Sequence, residues 1–353
     1  MANSQPVSQK TITARCFCKT IHYSLTLPSS ALPIKAHICH CSQCRYTHGA
    51  MCSTHAPLPR GIHPQFVLPS NLEQSTTLYQ QGTSNNVHFC KSCGAHMGVY
   101  NTGDDQWYIS TALFPKDEDV FILNQHVFTQ SAPGGLHEWL PNIGARELKA
   151  WNPIGESAKA TVPKPVIGDD GVERLLAECH CRNVSFLIDR PTEEILADSN
   201  MKTLVSPVDR TKWKACLDVC NDCRLASGTH FSAWMYVPTM VCDPQRSANL
   251  TEYSSSPGKT RGFCGICGAT VCFLYDRPGV SATKAVSCIA VGILHAPEGV
   301  RADSWLTWRT EELGWLDAGR EYDPELYESL NDAYRAWGAK EHGRALDFRL
   351  IQS

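Results

Sequence analysis

The sequence predicts a mainly β protein made of two tandem repeats followed by a helix. Three observations lead to this fold class. Short alternating runs rich in Val, Ile, Thr and aromatic residues recur along the chain, separated by turn residues. Three cysteine motifs of the first half return in the same order in the second half. One amphipathic stretch near the C-terminus has the apolar spacing of a helix.

The composition narrows the class of protein. A length of 353 residues favours two domains, each large enough to bury a core. The formal net charge of -3 shows no basic excess, so neither nucleic acid nor an anionic membrane is an expected partner. No apolar run approaches the roughly 18 residues of a membrane span. We therefore expect a soluble protein with a small-molecule ligand.

The eighteen cysteines are the unusual feature of the composition. The first residues, Met-Ala-Asn-Ser-Gln-Pro, lack the charged start and apolar core of a secretion signal, so a disulfide framework is not expected. Cys-x-Cys and Cys-x-x-Cys motifs in such a chain are typical of metal sites in a reducing compartment. The cysteines therefore predict metal binding and a cytoplasmic location.

The first half, residues 1–151, predicts a series of strands around two of the cysteine motifs. Residues 11–27 predict a β-hairpin with Cys16 and Cys18 near its turn, and both sulfurs of a strand Cys-x-Cys share one face. Cys90-Lys91-Ser92-Cys93-Gly94 has the form of a zinc knuckle, in which the glycine lets the backbone turn its amides toward the sulfurs. Further strands are predicted at 34–38, 50–56, 76–81, 97–100, 107–114 and 121–128.

A third motif of the first half places Cys39, Cys41 and Cys44 in one tight turn. Such spacing can aim three sulfurs at one point about 2.3 Å away, as zinc–thiolate bonding requires. His40 lies between two inward-facing neighbours, so we expect it to point away. Three protein ligands would leave the open position of a catalytic zinc, whereas a distant fourth residue would make the site structural. The motif alone leaves both interpretations open.

Residues 152–172 predict a linker, because they contain several prolines and glycines and little periodicity. The second domain, 173–320, then repeats the motifs of the first. Its motif residues are Cys179 and Cys181, Cys220 and Cys223, and Cys264 and Cys267. The copies differ at one point, since Asp218 stands where the first copy has Cys39, with Cys216 two residues earlier. A strand-like run at 286–294 matches 107–114 in placement.

The tail, residues 321–353, predicts the clearest helix of the chain. Asp323 can cap it, Pro324 suits its first turn, and Gly338 marks its expected end. Its apolar residues fall on one face, which favours packing onto the core over a partner-binding role.

With these motifs assembled, the chain resembles the family of glutathione-dependent formaldehyde-activating enzymes and centromere protein V, in a tandem two-domain form. The resemblance rests on the ordered Cys-x-Cys, Cys-His-Cys-x-x-Cys-Arg and Phe-Cys-x-x-Cys-Gly motifs of the first half, which return in the second half with Asp218 at the first position of the middle motif. It implies antiparallel β domains of the β-tent type, with two zinc sites in each family unit. In the first half it implies a closed structural site at Cys16, Cys18, Cys90 and Cys93, and an open site at Cys39, Cys41 and Cys44.

For the second half, the resemblance implies a structural site at Cys179, Cys181, Cys264 and Cys267. The open site is altered there. Asp218, Cys220 and Cys223 are candidate zinc ligands, since carboxylates also bind zinc, and Cys216 is a possible substitute. Loss of the metal is the alternative, and we favour loss or weak occupancy.

The predicted function follows from the three thiolates of Cys39, Cys41 and Cys44. They give a zinc site with a net charge of -1, where a thiol is a better fourth ligand than water. This chemistry suits a thiol that adds to an aldehyde, or the reverse cleavage. The resemblance points to S-(hydroxymethyl)glutathione, a carbon–sulfur lyase reaction, with glutathione as co-substrate. Arg45 could contact an anionic substrate group or serve a structural role.

Two further interpretations stay open. One is a zinc-dependent tailoring enzyme that catalyses a hydrolysis or an elimination reaction on another small metabolite. The other is a non-enzymatic, zinc-stabilised interaction module, although the chain lacks the basic patch that would support it. A zinc deaminase is disfavoured because its His-x-Glu motif is missing. Several histidines near the motifs are expected to be hydrogen-bonded strand or loop residues: His37, His48, His55, His88 and His96.

Overall fold

The computed structural model describes residues 8–117, 119–154, 162–242, 244, 247–275 and 279–350. The predicted linker, 152–172, lies partly outside these residues. The N-terminal hexapeptide and the last three residues of the tail lie wholly outside them. Among the described helices, none is long and apolar enough to cross a membrane.

The first half is a hairpin placed against a large sheet. The hairpin strands pair in antiparallel fashion, with Gln9 opposite Pro28, as predicted. The strands are β1 (Gln9–Arg15), β2 (His22–Pro28), β3 (Ile34–Cys39), β4 (Ser53–Pro57), β5 (Gln65–Phe66), β6 (Thr76–Gln81), β7 (Asn85–Cys90), β8 (His96–Asn101), β9 (Gln106–Ser110), β10 (Phe121–Val127), β11 (Asn142–Ile143), β12 (Arg146–Glu147) and β13 (Lys149–Trp151). The helices are α1 (Ser42–His48) and α2 (Leu72–Ser75).

The second half repeats this arrangement with fewer strands. Its strands are β14 (Val166–Ile167), β15 (Glu173–Glu178), β16 (Ser185–Ile188), β17 (Trp213–Asp218), β18 (Ser232–Pro238), β19 (Leu250–Ser256), β20 (Lys259–Cys264), β21 (Thr270–Tyr275), β22 (Val286–Ala290) and β23 (Leu306–Trp308). Its helices are α3 (Glu193–Ala197), α4 (Asn221–Ser227), α5 (Leu316–Tyr322) and α6 (Pro324–His342).

The two large sheets share one strand order. The first runs β13-β10-β3-β4-β9-β8-β7-β6, and the second, read from its opposite end, runs β23-β17-β18-β22-β21-β20-β19. Most neighbours are antiparallel, but the outer pairs β10–β13, β10–β3 and β17–β23 are parallel. The mainly β class with two sheet bodies and a C-terminal helix is thus confirmed, with a parallel edge that the sequence did not predict.

At the contact between the two halves, two strands end before the residues at which the sequence predicted their ends. Strand 107–114 stops at Ser110, whose hydroxyl donates to the carbonyl of Gly228 in the other half at 2.7 Å, and a 3-10 turn follows. The run 286–294 likewise stops at Ala290, because the next turn brings Gly292 against Ala50 of the first half. The contact between the halves therefore shortens both strands.

Two more predictions need correction at helix ends. The turn that carries Cys41 and Cys44 continues as α1, which ends at Gly49 in the left-handed region, so β4 begins at Ser53 rather than at residue 50. Helix α6 begins at its Asp323 cap as predicted, but it passes through Gly338 to His342. A Cβ at Gly338 would lie 2.0 Å from Oγ1 of Thr310, so this glycine permits a close contact instead of ending the helix.

The C-terminal helix ties the halves together. On α6, Tyr334 packs edge-on against Trp139 of the first half, with ring centroids 4.7 Å apart. Trp139 in turn contacts Trp308 of the second half at 5.1 Å. All three side chains are buried, and they belong to one continuous core that includes residues from both halves. The apolar face of α6 is therefore core, as expected.

Candidate metal centres

The N-terminal closed cluster consists of Cys16, Cys18, Cys90 and Cys93, whose sulfurs all lie within 4.8 Å of one another. The hairpin turn supplies the first pair and the turn after β7 supplies the second. Sγ of Cys18 lies 3.5 Å from Sγ of Cys16 and 3.5 Å from Sγ of Cys90. Sulfurs around one tetrahedral zinc would be about 3.8 Å apart, so this set fits that ion.

The backbone at this cluster is shaped for thiolates. The amide of Ile21 donates to Sγ of Cys16 at 3.3 Å. Gly94 takes a φ of 79°, and its amide donates to the carbonyl of Cys90 at 2.9 Å. Hydrogen bonds from the thiols of Cys16, Cys90 and Cys93 lower the pKa of Cys18 far below its usual range. The turn predicted at Gly94 is therefore present, whereas the amide that contacts a sulfur at this cluster is that of Ile21.

The C-terminal closed cluster repeats this geometry with Cys179, Cys181, Cys264 and Cys267. Sγ of Cys181 lies 3.5 Å from the sulfurs of both Cys179 and Cys264. The amide of Val184 donates to Sγ of Cys179 at 3.4 Å, as that of Ile21 does in the first half. Gly268 follows the last cysteine at a φ of 81°. This four-sulfur set also fits a tetrahedral zinc.

The N-terminal trio is formed by Cys39 at the end of β3, Cys41 at the cap of α1 and Cys44 within α1. Sγ of Cys39 lies 3.5 Å from Sγ of Cys41, which also accepts the amide of Cys44 at 3.3 Å. Hydrogen bonds from the thiols of Cys39 and Cys44 hold the pKa of Cys41 well below its usual range. Within the described chain, no further His, Cys, Asp or Glu atom joins the three sulfurs.

His40 does not belong to the trio. Its Nε2 lies 2.9 Å from Nδ1 of His126, and the ring faces away from the neighbouring sulfurs into a buried cluster with His126 and His137. Arg45 is buried, its guanidinium lies 4.3 Å from the ring centroid of Tyr46, and its Nε has no hydrogen-bond partner among the described residues. Its substrate contact and its structural role therefore both stay predictions.

A second group of histidines surrounds the N-terminal trio. His48 stacks on His96 with ring centroids 4.0 Å apart, and His55 approaches His48 at 5.2 Å. Burial lowers the pKa of His48 to about 4 and that of His55 well below its usual value, so both rings are neutral near pH 7. Nδ1 of His48 lies 2.9 Å from the carbonyl of Cys44. Three of the histidines expected to be hydrogen-bonded, His48, His55 and His96, thus form one buried group.

The C-terminal trio consists of Asp218, Cys220 and Cys223 at the junction of β17 and α4. Oδ1 of Asp218 accepts the amide of Cys220 at 2.8 Å, and Sγ of Cys220 accepts the amide of Cys223 at 3.2 Å. Burial raises the pKa of Asp218. Cys216 is not part of this set, because its sulfur contacts the hydroxyl of Tyr236 at 3.1 Å. The carboxylate, rather than Cys216, therefore completes the trio.

Sequence reasoning missed the surroundings of the C-terminal trio. Arg261 on β20 places Nη1 3.7 Å from Sγ of Cys223, and a cavity of about 590 Å³ opens beside the same residues. Besides the trio and its neighbours, the lining includes residues of β18, β20 and β21, which come later in the chain than Asp218. A signal in the sequence is the cationic Lys259 and Arg261 at alternate positions before Cys264.

Comparison with known proteins gave one family match. The model of the family described as glutathione-dependent formaldehyde-activating enzyme matches residues 11–131 and 203–310. The first segment contains the N-terminal closed cluster and the N-terminal trio, and the second contains the C-terminal trio with Cys264 and Cys267. Cys179 and Cys181 lie between the two matched segments. No curated protein matches the chain.

Proposed function

This chain belongs to the glutathione-dependent formaldehyde-activating enzyme family, and from that premise we propose that it is a zinc-dependent enzyme of the carbon–sulfur lyase type. Its substrate is a small adduct of a thiol and a carbonyl compound, such as S-(hydroxymethyl)glutathione. The N-terminal trio holds the catalytic zinc, and each closed cluster holds a structural zinc. The observation that supports this most directly is the convergence of three sulfurs without a fourth donor in the described chain.

The chemistry follows from the donor set. Zinc bound by three thiolates supplies a fourth position that favours the thiolate form of a substrate over water. Cys39, Cys41 and Cys44 would hold this ion and would leave that position open to the substrate sulfur. Formation of the adduct joins this sulfur to the carbonyl carbon, and the thiol proton ends on the carbonyl oxygen. Cleavage reverses both changes, so the reaction needs no oxidant or reductant.

The histidines beside the trio are polar but uncharged. The buried rings of His48 and His55 are neutral near pH 7 and place no positive charge beside the thiolates. Nε2 of each ring is buried without a hydrogen-bond partner in the described structure, and on His48 it is the acceptor nitrogen, because Nδ1 faces the carbonyl of Cys44. Cys-x-Cys and Cys-x-x-Cys metal sites are typical of a reducing compartment, which supports a cytoplasmic location.

The test measures the rate at which formaldehyde exchanges with S-(hydroxymethyl)glutathione in the presence of zinc-loaded protein. Two-dimensional NMR exchange spectroscopy monitors this rate. We expect the wild type to accelerate exchange and the Cys44→Ser variant to lose the acceleration. Cys52→Ala is the matched control, since Cys52 is a buried thiol of the same half outside every cluster. Its exchange rate is expected to equal that of the wild type.

Two results would overturn the proposal. One is wild-type exchange at the uncatalysed rate with glutathione, cysteine and 2-mercaptoethanol alike, which would leave an interaction module stabilised by zinc. The other is full exchange in Cys44→Ser, which would remove the N-terminal trio from the chemistry.

A further inference from the structure

We infer that the C-terminal trio and the cavity beside it form a second ligand site, which takes an anionic thiol with an aromatic body. The inference goes beyond the proposed function, because it concerns the other half of the chain and a larger ligand class than a hydroxymethyl adduct.

The cavity has the dimensions of a ligand site. Its volume is about 590 Å³, within the roughly 300–1,000 Å³ typical of small-molecule pockets. Asp218, Cys220 and Cys223 all line it, so a bound molecule can reach the metal-ligating atoms directly. Asp218 is only 6% exposed, which places the trio at the floor of the cavity.

Aromatic side chains form the walls. Trp234 and Tyr236 project from β18, and Phe273 and Tyr275 project from β21. Residues two apart on a strand share one face, so each strand presents two rings to the same space. Rings in this arrangement favour a flat apolar group between them.

Trp315 stands at the rim of the cavity. It is 71% exposed and holds a φ of 60°, a left-handed conformation that is unfavourable for a bulky residue. Strained backbone of this kind is often kept at ligand sites. A ligand that spans the cavity would cover this exposed ring, which makes Trp315 part of the proposed apolar contact.

Two cations, Arg261 and Lys259, line the cavity together with the carboxylates of Asp218 and Asp222. Arg261 lies beside the trio, and its Nε is buried with no hydrogen-bond partner in the described structure. Its guanidinium carbon is 4.9 Å from the ring centroid of Phe273, which holds the group over the cavity wall. Lys259, two residues earlier on β20, lies nearer the exposed rim. A carboxylate is the ligand group that fits between these donors.

The equivalent strands of the first half lack these features. On β20, Arg261 pairs with Tyr253 of β19, whereas on β7 the residue paired with Tyr79 of β6 is Val87. On β18, Trp234 lies two residues beyond the partner of Asp218, whereas His55 occupies that position relative to Cys39. The cation and the aromatic wall therefore belong to the second copy, which indicates that this half was fitted to its own ligand.

The trio adds the preference for sulfur. With one carboxylate and two thiolates, a zinc ion there would have a net charge of -1. Two soft sulfur donors keep the open position suited to a thiol. An aromatic thiol that carries a carboxylate matches all three parts of the cavity. Its sulfur matches the trio, its ring matches the aromatic walls, and its carboxylate matches the cations.

The experiment uses the full-length chain in its zinc-loaded form, with 2-mercapto-3-phenylpropanoate as the probe. Binding is measured by calorimetry in the Cys44→Ser background, so that the N-terminal trio does not contribute. We expect binding at least tenfold tighter than that of 3-phenylpropanoate, which lacks the thiol, and of 2-mercaptoethanol, which lacks ring and carboxylate. Cobalt substitution of the same variant should give a visible spectrum that the probe shifts.

Variants of the residues that line the cavity test whether the probe binds there. Arg261→Met and Trp234→Leu should each weaken the probe at least tenfold, while Arg182→Met, an arginine whose side chain is 82% exposed, should leave its affinity unchanged. Arg261→Lys keeps the charge and should recover part of the affinity if Arg261→Met misfolds. Equal affinity in the wild type and both Arg261 variants, or no binding of the probe at millimolar concentration, would overturn the inference. Neither outcome depends on glutathione exchange at the N-terminal trio.

Discussion

The amide of Phe17 donates a hydrogen bond to the carbonyl of Leu225, at 3.1 Å, and so joins the N-terminal closed cluster to helix α4 of the other half. The reciprocal bond is also present, since the amide of His180 donates to the carbonyl of Tyr46 on α1, again at 3.1 Å. Phe17 and His180 are the central residues of the two Cys-x-Cys turns. Each closed cluster therefore supports the helix that carries the trio of the opposite half.

The first prediction is that the closed clusters act across the halves. Cys18→Ser should increase amide hydrogen exchange in α4 more than in α1, and Cys181→Ser should increase it in α1 more than in α4. The reason is that each substitution loosens the turn whose amide anchors the opposite helix. Exchange measured by mass spectrometry on both variants provides reciprocal controls. A loss of protection confined to the variant's own half would contradict the prediction.

The second prediction concerns two glycines at the contact between the halves. A Cβ at Gly268 would lie 2.6 Å from Cγ of Phe89, and one at Gly94 would lie 2.5 Å from Cγ of Phe263. Both glycines have positive φ. We expect Gly268→Ala to lower the free energy of unfolding by about 2–5 kcal/mol, the sum of a left-handed alanine and overpacking.

Gly82→Ala is the control for this effect. Gly82 has a φ of 70° but no atom within 4 Å of an added Cβ, so only the backbone cost of about 1–2 kcal/mol applies. Chemical denaturation of the zinc-loaded variants measures the difference. Equal destabilisation at Gly82 and Gly268 would show that the contact with Phe89 carries no energetic weight.

The third prediction separates structural from catalytic cysteines. Cys90→Ser and Cys264→Ser should lower the soluble yield, because a structural zinc site contributes about 10–16 kcal/mol of apparent binding free energy to folding. Cys44→Ser should give a folded protein that has lost its activity. Soluble yield and circular dichroism after parallel expression measure the contrast. A similar loss of soluble protein in all three variants would remove the distinction.

The fourth prediction is a metal count. Because the structure brings Asp218, Cys220 and Cys223 together, we expect four zinc ions per chain, one for each cluster, in place of the loss or weak occupancy that the sequence alone favoured at the C-terminal trio. Elemental analysis of protein purified without added metal measures this count. Cys44→Ser and Asp218→Ala should each contain three, because each removes one ligand from a three-donor set. Cys52→Ala should retain four. An unchanged count in Asp218→Ala would show that the carboxylate does not bind zinc.

The fifth prediction concerns the start of α6. The Asp323 carboxylate accepts the amide of Leu326 at 3.1 Å and forms an ion pair with Lys116 of the first half. Asp323→Ala should lower the free energy of unfolding by about 1–2 kcal/mol from the lost cap alone. Asp323→Asn keeps a capping group and should cost less. Thermal unfolding compares the two, and equal losses would assign the effect to the ion pair.

Several features could be predicted from the local sequence because local chemistry decides them. A Cys-x-x-Cys followed by glycine specifies a knuckle wherever it occurs, and the Asp323–Pro324 pair specifies a helix start. The hairpin at β1 and β2 follows from alternation and from the turn between Cys16 and Cys18. The extension of α6 beyond Gly338 was not predictable, since it depends on Thr310, which is distant in sequence.

The sequence by itself determined the mainly β class, the repeated motifs and the residues able to hold metal, because each depends on spacings of a few residues. The tertiary structure decided which groups meet: Asp218 rather than Cys216 completes the second trio, and Arg261 reaches Cys223. It also decided that the Cys-x-Cys turn of each half supports the other. These outcomes depend on strand register and on the contact between the halves, which bring together residues far apart in sequence. The spacing of neighbouring residues therefore does not predict them.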